Sequence, residues 1–196
     1  MKKLSIILVL ALSIFSFTAP HIDSFVADTK KSSIKWTGSK VLGDSHYGGI
    51  SISKGAIMMD HGNLVGANFV IDMNTITCTD IESKKYNQKL ISHLNNSDFF
   101  DVEKFPTADF KLITAKKISE GKYSVNGELT IKNIKGLVKF DMEASERNGT
   151  ITTSGKFTFD RTKFDVIYGS STFFDKIGDK AINNDVTVEF NIVANK

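Results

Sequence analysis

The sequence is poor in cysteine and proline: its 196 residues include one cysteine, Cys78, and two prolines, Pro20 and Pro106. A lone cysteine cannot form a disulfide within the chain, so a disulfide-stabilised fold is excluded. It can pair only with another molecule, and we expect instead a small, semi-buried thiol at the end of a strand.

An excess of charge of one sign is also lacking. The chain has 25 Lys and Arg against 22 Asp and Glu, and loss of Lys2 and Lys3 with a cleaved N-terminus would reduce the first count to 23. Electrostatic binding to nucleic acid or to an anionic membrane therefore has no support in the composition. We expect no nucleic-acid partner.

Motifs of catalysis and metal binding are absent as well. There is no nucleophile elbow, no glycine-rich phosphate loop and no zinc motif. The four histidines, His21, His46, His61 and His93, do not have the spacing of metal ligands. We therefore predict that the protein is not an enzyme, with no catalytic residues, no metal and no cofactor. An enzyme whose reacting groups converge only in the folded chain remains an alternative.

The N-terminus contains a targeting signal. Lys2–Lys3 form a positively charged start, and an uncharged, largely apolar stretch of 14 residues follows over Leu4–Phe17. Such a stretch is too short to span a bilayer, which takes about 20 residues, but suits the apolar part of a signal peptide. We predict a signal peptide over residues 1–24, cleavage between residues 16 and 27, and export to the periplasm or the exterior. An uncleaved anchor is the alternative; no stable membrane span is expected after removal.

Most of the remaining chain alternates between apolar and polar residues, which is the period of a half-buried β-strand. The clearest runs cover residues 64–73, 108–112, 123–132, 138–145, 151–159 and 186–192, and shorter runs begin at Ile34 and His46. Asn148-Gly149 between two of these runs is a strong hairpin signal, because both residues tolerate a positive φ. Several strands joined by short turns predict an antiparallel meander, and closure into a barrel removes its exposed edges.

One segment, residues 80–96, has helical instead of strand periodicity. Tyr86, Leu90 and Leu94 fall at positions i, i+4 and i+8, and Asp80 suits the N-cap. We expect these three side chains to form the packing stripe of the helix, with a lipid gate as the alternative. The predicted fold is therefore all-β: an antiparallel β-barrel of about eight strands with one or two short helices, in one domain.

The apolar face of the strands is rich in phenylalanine, of which the chain has 15. The interior of an eight-stranded barrel is just wide enough for side chains or for one small ligand. Gly127 and Gly155 lie among the inward residues, where they either leave space or mark bends of the wall. An apolar ligand and a filled core therefore both stay open. The predicted inward set is Phe69, Phe110, Leu129, Ile131, Phe140, Phe157, Phe159 and Phe190.

Four stretches form a recognisable series. They are HLNNSDFFDVEKFPTADF over His93–Phe110, GELTIKNIKGLVKF over Gly127–Phe140, FTFDRTKFDV over Phe157–Val166 and IGDKAINNDVTVEF over Ile177–Phe190. In this order they resemble the YceI-like family of lipid- and polyisoprenoid-binding proteins, and the resemblance extends from about Ile34 to Val193. Asn133 stands where the family usually has glycine, and asparagine also tolerates a left-handed conformation.

The resemblance implies a lipocalin-like barrel with an attached helix, as one domain over residues 28–196. It implies non-catalytic binding, storage or transport of a long-chain isoprenoid lipid, such as a quinone or a polyprenyl compound, inside the barrel of a periplasmic protein. The alternative is an interaction or stress-response module with a side-chain-filled barrel and no ligand. Whether the chain forms a homodimer is left open.

Polar and aromatic residues are expected beside the lipid as well. Trp36 lies in the first predicted strand, and His46 next to Tyr47 is placed to contact a headgroup at the mouth of the barrel. A structural role is the alternative for His46. With Arg161 and the inward set, these residues make up the predicted ligand-binding site.

Arg161 continues the inward face of residues 151–159 by parity, so its charge must be paired or reach the rim of the barrel. One interpretation is a contact to a phosphate or quinone oxygen of the headgroup. The other is a salt bridge with Asp160, Asp165 or Asp175 that holds the closing loop, and this structural interpretation is preferred.

Overall fold

The computed structural model describes residues 21–174 and 177–196. Residues 1–20 of the predicted signal peptide and Asp175 therefore lie outside the described residues. One α-helix is present in the described part, α1 (Lys84–Asn95), and 3-10 turns cover Met73–Thr75, Arg161–Phe164 and Gly178–Lys180. The strands are β1 (Ile22–Ala27), β2 (Ser33–Ser39), β3 (Ser45–Asp60), β4 (Asn63–Asp72), β5 (Thr107–Ser119), β6 (Lys122–Ile131), β7 (Ile134–Arg147), β8 (Thr150–Asp160) and β9 (Asp185–Asn195).

The strands form one closed, antiparallel barrel. Strands β2, β9, β8, β7, β6, β5, β4 and β3 follow one another around it, and the pairing of β3 with β2 closes the circle. β1 is an extra strand: it pairs with the second half of β3, whereas β2 pairs with the first half. β1 and β2 therefore share one of eight positions in the wall. The predicted all-β, lipocalin-like barrel of about eight strands is confirmed.

The two ends of the barrel differ. Strands β3, β5, β7 and β9 begin at the end that also holds α1, which we call the helix end. The opposite end, the hairpin end, holds the tight turns β3–β4, β5–β6 and β7–β8. At the last of these, Asn148 and Gly149 have φ angles of 51° and 75°, as the predicted two-residue hairpin requires. Asn133, at the β6–β7 turn, has a φ of 62°, so it adopts the left-handed conformation expected of it.

β1 is a strand that the alternation pattern did not indicate. It begins at Ile22, ahead of the domain start predicted at residue 28 and inside the range predicted for the signal peptide. Its Phe25 is fully buried in the core. β1 fills the wall between the second half of β3 and the end of β9, so residues 22–27 belong to the barrel.

The helix begins later than expected. Its N-cap residue is Ser83, not Asp80, because residues 75–80 continue the wall beside the first half of β3. Thr77 N–H donates to the Gly49 carbonyl, and Thr79 N–H donates to the Tyr47 carbonyl, both at 2.9 Å. This strand-like pairing holds the backbone extended until it has passed β3.

The expected packing stripe of the helix is also shorter than predicted. Leu94 is buried and Leu90 is partly buried, but the Tyr86 side chain is 62% exposed. Tyr86 lies in the first turn of α1, whereas Leu90 and Leu94 lie farther along, above the barrel interior. Tyr86 therefore faces solvent and is no part of the stripe.

Strands β7 and β8 separate toward the helix end. Their ladder runs only from Arg147↔Thr150 to Met142↔Gly155. Beyond it, the 3-10 turn after β8 closes the wall: Phe164 is 2% exposed, and its ring packs against Gly136 of β7. None of the helices in the described part of the chain is long and apolar enough to cross a membrane.

Candidate functional site

A cavity of about 370 Å3 lies inside the barrel, within the range of about 300–1,000 Å3 that is usual for small-molecule sites. Each of strands β2 to β9 contributes inward side chains to its lining. Fully buried Phe25, Ile151 and Ala194 fill the barrel toward the hairpin end. The eight predicted inward residues Phe69, Phe110, Leu129, Ile131, Phe140, Phe157, Phe159 and Phe190 all line the cavity, and so do Trp36, His46 and Arg161.

The aromatic side chains form a continuous layer along part of the cavity wall. The Phe140 ring stacks on that of Phe157, with ring centroids 5.0 Å apart, and meets Phe190 edge-on at 5.7 Å. Phe110 lies 5.9 Å from Phe140 on the other side. Such offset and edge-to-face contacts add to the stabilisation from burial and keep the rings in fixed positions.

Glycines in the wall make room for these rings. A Cβ atom on Gly155 would lie 2.7 Å from Cζ of Phe190, and a Cβ atom on Gly127 would overlap the ring of Phe110. Each ring therefore lies over its glycine, flat against the wall. Rings, and not a ligand, occupy the space that the two glycines leave, and the hollow centre of the barrel remains open because the rings do not project into it.

The cavity lining becomes polar at the helix end, which we call the mouth. The polar residues that line this part are Ser39, Lys40, Asp44, His46, His93, Arg161 and Asn183. They come from the end of β2, the β2–β3 loop, the start of β3, α1 and the β8–β9 connection, which meet only in the fold. A ligand with one long apolar part and one polar end fits this division.

His46 is held at the mouth by an acid from another segment. Its Nδ1 lies 2.7 Å from Oδ2 of Asp80, and Oδ1 of Asp80 accepts hydrogen bonds from the Tyr47 N–H at 2.8 Å and from Sγ of Cys78 at 3.3 Å. Burial alone would raise the pKa of Asp80, but the hydrogen bonds from His46, Tyr47 and Cys78 outweigh it and lower the pKa below its usual value. Burial raises the pKa of the Cys78 thiol.

Tyr47 does not line the cavity, so the expectation that it contacts the lipid beside His46 is corrected. Successive side chains of an extended strand point to opposite faces, and His46 takes the inward one. The Tyr47 side chain is 39% exposed, and the ammonium of Lys35 lies 4.6 Å from its ring centre on the outer surface.

Arg161 is 2% exposed and is held by main-chain carbonyls. Its Nε donates to the Asn183 carbonyl at 3.0 Å, its Nη2 to Ile182 at 3.2 Å and its Nη1 to Val166. It therefore ties the 3-10 turn after β8 to the segment before β9. Burial lowers the pKa of its guanidinium.

The salt bridge expected for Arg161 is not formed with the acids that the structure describes. The Asp160 carboxylate accepts instead from the Thr162 N–H at 2.9 Å, and Asp165 lies 3.0 Å from the ammonium of Lys132. Asp175 lies outside the described residues. Arg161 holds the closing loop, as the structural interpretation has it, but carbonyl oxygens take the place of the expected carboxylates.

Several lining residues come from the β4–β5 connection, which the predicted site did not include. Leu90, His93 and Leu94 of α1 and Phe99 and Phe100 after it reach the cavity. The apolar stripe of the helix was the sequence feature that could have indicated these residues. Its periodicity does not show whether such a stripe packs on a filled core or covers a cavity. Within residues 21–174 and 177–196, no three His, Cys, Asp or Glu side chains come together as a metal site would require.

Known proteins share this fold. A family model described as "YceI-like domain" matches residues 25–194. BcnA of Burkholderia cenocepacia has a TM-score of 0.63 and 22% identity, covering 86% of this chain and 99% of that chain. A polyisoprenoid binding domain from Saccharophagus degradans, implicated in plant cell wall breakdown, has a TM-score of 0.63 and 13% identity over 87% and 97%. The Campylobacter jejuni YceI protein has a TM-score of 0.56 and 17% identity over 100% and 99%. No curated protein matches the chain significantly.

Proposed function

Because the chain belongs to the YceI-like family, we propose that it binds a long isoprenoid lipid inside its barrel, without catalysis, as a carrier or store. A quinone or a polyprenyl compound has the required long tail and small polar end. The polyisoprenoid binding domain of Saccharophagus degradans, which has the same fold, supports this class of ligand.

The hollow, phenylalanine-lined barrel is the observation on which the proposal depends. A cavity of about 370 Å3 with a wall of Phe, Ile, Leu and Val side chains offers almost no directional bonds to a ligand. Burial of apolar surface contributes about 25 cal/mol per Å2, so ~100 Å2 of tail removed from water contributes ~2.5 kcal/mol. A prenyl tail suits such a site better than any polar substrate.

The polar mouth orients the lipid. The tail extends toward the hairpin end, and the polar end remains between His46, Arg161 and Asn183 at the helix end. Because Asp80 accepts a hydrogen bond from Nδ1 of His46, Nε2 is left to meet a hydroxyl or an oxo group of the ligand.

Export completes the proposal. Residues 1–20 act as a signal peptide, and cleavage before Ile22 leaves β1 whole and releases the barrel to the periplasm or the exterior. The intact mass of the protein recovered from a Gram-negative host tests this. A mass that still includes residues 1–20 contradicts export by cleavage, and one that lacks Ile22–Ala27 contradicts the assigned cleavage site.

Native mass spectrometry of protein purified without detergent from a membrane-rich host tests lipid binding. We expect a discrete excess mass that organic extraction removes. Leu90→Trp, which adds volume to the cavity lining, should reduce the bound fraction. Tyr86→Trp, on the exposed side of the same helix, should not. A bare polypeptide mass that persists after incubation with quinones and polyprenols would contradict the proposal and favour an interaction module without a ligand.

A further inference from the structure

We infer that the helix end of the barrel docks on a lipid bilayer through exposed apolar side chains beside the cavity mouth. We call this surface the rim and define it as Val41, Leu42, Tyr168, Phe173 and Phe174. Their exposed fractions are 51%, 65%, 42%, 53% and 44%. Two consecutive phenylalanines that face water, at the same end of the barrel as two exposed aliphatic side chains, form the kind of surface that marks an interaction site.

Among the residues that the structure describes, exposed aromatic side chains are confined to the helix end. Five Phe, Tyr or Trp residues in residues 21–174 and 177–196 are at least 39% exposed. Three belong to the rim, Tyr86 lies at the start of α1, and Tyr47 lies near the start of β3. The large hydrophobic residues exposed toward the hairpin end, such as Val65 and Ile118, are aliphatic. Aromatic residues are favoured at the membrane–water interface, where their rings meet both phases.

Backbone hydrogen bonds make the rim one surface. Val41 N–H in the β2–β3 loop donates to the Ala181 carbonyl in the β8–β9 loop at 2.8 Å. In turn, Ile182 N–H donates to the Gly169 carbonyl at 2.7 Å. The segment of Val41 and Leu42 and the segment of Tyr168, Phe173 and Phe174 lie more than 120 residues apart in the chain, but both are bonded to the same stretch of backbone, Ala181–Ile182.

The two phenylalanines project from an anchored turn. The N–H groups of Phe173 and Phe174 donate to the carbonyl of Ser170 at 3.1 and 3.0 Å, and Ser170 is fully buried. The side-chain amide of Asn184 donates to Oγ1 of Thr172 at 3.0 Å. The backbone is thus fixed, while the rings remain free of the core.

The rim also continues the cavity lining. Lys40 and Ile182 line the cavity and form a β-bridge with each other. The next residue, Val41, belongs to the rim, and its N–H donates to the carbonyl of Ala181, the neighbour of Ile182. This step rests on the proposed function: a lipid that leaves the barrel here, polar end first, would draw its tail past the polar mouth and onto the apolar side chains of the rim. A bilayer placed against the rim would receive the lipid without exposing its tail to water, and the aromatic side chains of the rim suit the membrane–water interface.

The charges around the rim indicate that docking is apolar and not electrostatic. Among the described residues of the segments at the rim (40–44, 168–174 and 177–182), Lys40 and Lys180 are matched by Asp44 and Asp179, so this part of the surface has no excess of one sign. Lysine side chains can extend their ammonium groups from such a surface to the headgroup layer. Docking should therefore occur on a neutral bilayer and should survive high salt.

Flotation with vesicles tests the inference on residues 21–196, which contain every strand described above and exclude the apolar stretch of residues 4–17. Vesicles of phosphatidylcholine alone, and of phosphatidylcholine mixed with phosphatidylglycerol, serve as probes. We expect flotation with both, with little loss between ~0.1 M and ~1 M salt. Phe173→Ser combined with Phe174→Ser should lower the bound fraction about tenfold. The control pair Val65→Ser and Ile118→Ser, at the hairpin end, should not change it.

Three results would overturn docking. One is the absence of flotation, the second is equal loss in both variant pairs, and the third is binding that needs phosphatidylglycerol and disappears with salt. The mass of the protein in solution can be measured by sedimentation without vesicles. If it is lower for the Phe173 and Phe174 variant than for wild type, the rim is a contact between copies of the chain. If native mass spectrometry finds bound lipid but the protein does not float with vesicles, docking is refuted and the proposed function stands. If the protein floats but never holds lipid, the proposed function is refuted and docking stands.

Discussion

Replacement of Gly155 by alanine should force an aromatic ring away from the barrel wall. Gly155 of β8 pairs directly with Phe190 of β9. An added Cβ would lie 2.7 Å from Cζ and 3.0 Å from Cε1 of that ring, and 3.2 Å from the Asp141 carbonyl oxygen. Non-bonded carbon atoms prefer about 3.5–4.0 Å, so the ring must move by about 1 Å toward the cavity.

The expected cost follows from two opposing effects. Overpacking of this kind typically destabilises a protein by about 1–3 kcal/mol, whereas alanine in place of glycine within a strand stabilises it by about 0.5–1 kcal/mol. The Asp141 carbonyl restricts escape on the other side, so we expect a net loss of about 1–2 kcal/mol in the free energy of unfolding. Gly38→Ala is the matched control, because no atom lies within 4 Å of its added Cβ; it should be neutral or slightly stabilising.

Urea unfolding, followed by the fluorescence of the single tryptophan, Trp36, measures the free energy of unfolding of the Gly155→Ala and Gly38→Ala variants. The double variant Gly155→Ala with Phe190→Leu removes the ring that the new methyl group meets. The double variant should lose about 1 kcal/mol less free energy of unfolding than the sum of the losses in the two single variants, Gly155→Ala and Phe190→Leu. Two results would contradict this prediction: Gly155→Ala destabilises the protein no more than Gly38→Ala does, or the effects of Gly155→Ala and Phe190→Leu are additive. In either case the position of the Phe190 ring does not depend on Gly155.

Three further predictions concern buried polar groups. Arg161→Lys should lower the free energy of unfolding by about 2–4 kcal/mol. The three carbonyls are bound by three separate nitrogens of the guanidinium, and a single ammonium nitrogen cannot reach all three positions. Arg147→Lys, at an exposed position, should change the free energy of unfolding by less than about 0.5 kcal/mol, and equal effects of the two substitutions contradict the role of Arg161. Cys78 is 7% exposed with a raised pKa, so Ellman's reagent at neutral pH should label it about 100-fold more slowly in folded than in urea-unfolded protein; rapid labelling of the folded protein contradicts this. The pKa of Asp80 lies below its unfolded value of about 3.9, so its stabilising effect is complete above that pH and is lost as pH falls through the folded value. Denaturation curves should show wild type losing more stability than Asp80→Asn between about pH 5 and pH 2, and a constant difference between the two would contradict it.

The sequence by itself determined the fold class, the family and most of the cavity wall. Period-two alternation is a local property, and it decides which side chains of each strand share a face. For that reason the sequence alone places Phe69, Phe110, Phe140 and Phe190 inside a barrel. The four stretches that resemble the YceI-like family depend on residues close in sequence, and the match over residues 25–194 confirms that resemblance.

Only the tertiary structure decided where the wall ends and what the polar residues contact. β1 pairs with residues of β3 that lie 30 to 38 positions away, so no local period identifies it. Asp80 reaches His46, and Arg161 reaches the carbonyl of Asn183, partners that are set by how loops pack at the helix end. Whether the barrel is hollow depends on rings lying over glycines of neighbouring strands. These contacts join residues distant in the chain, and their geometry arises only when the strands have closed.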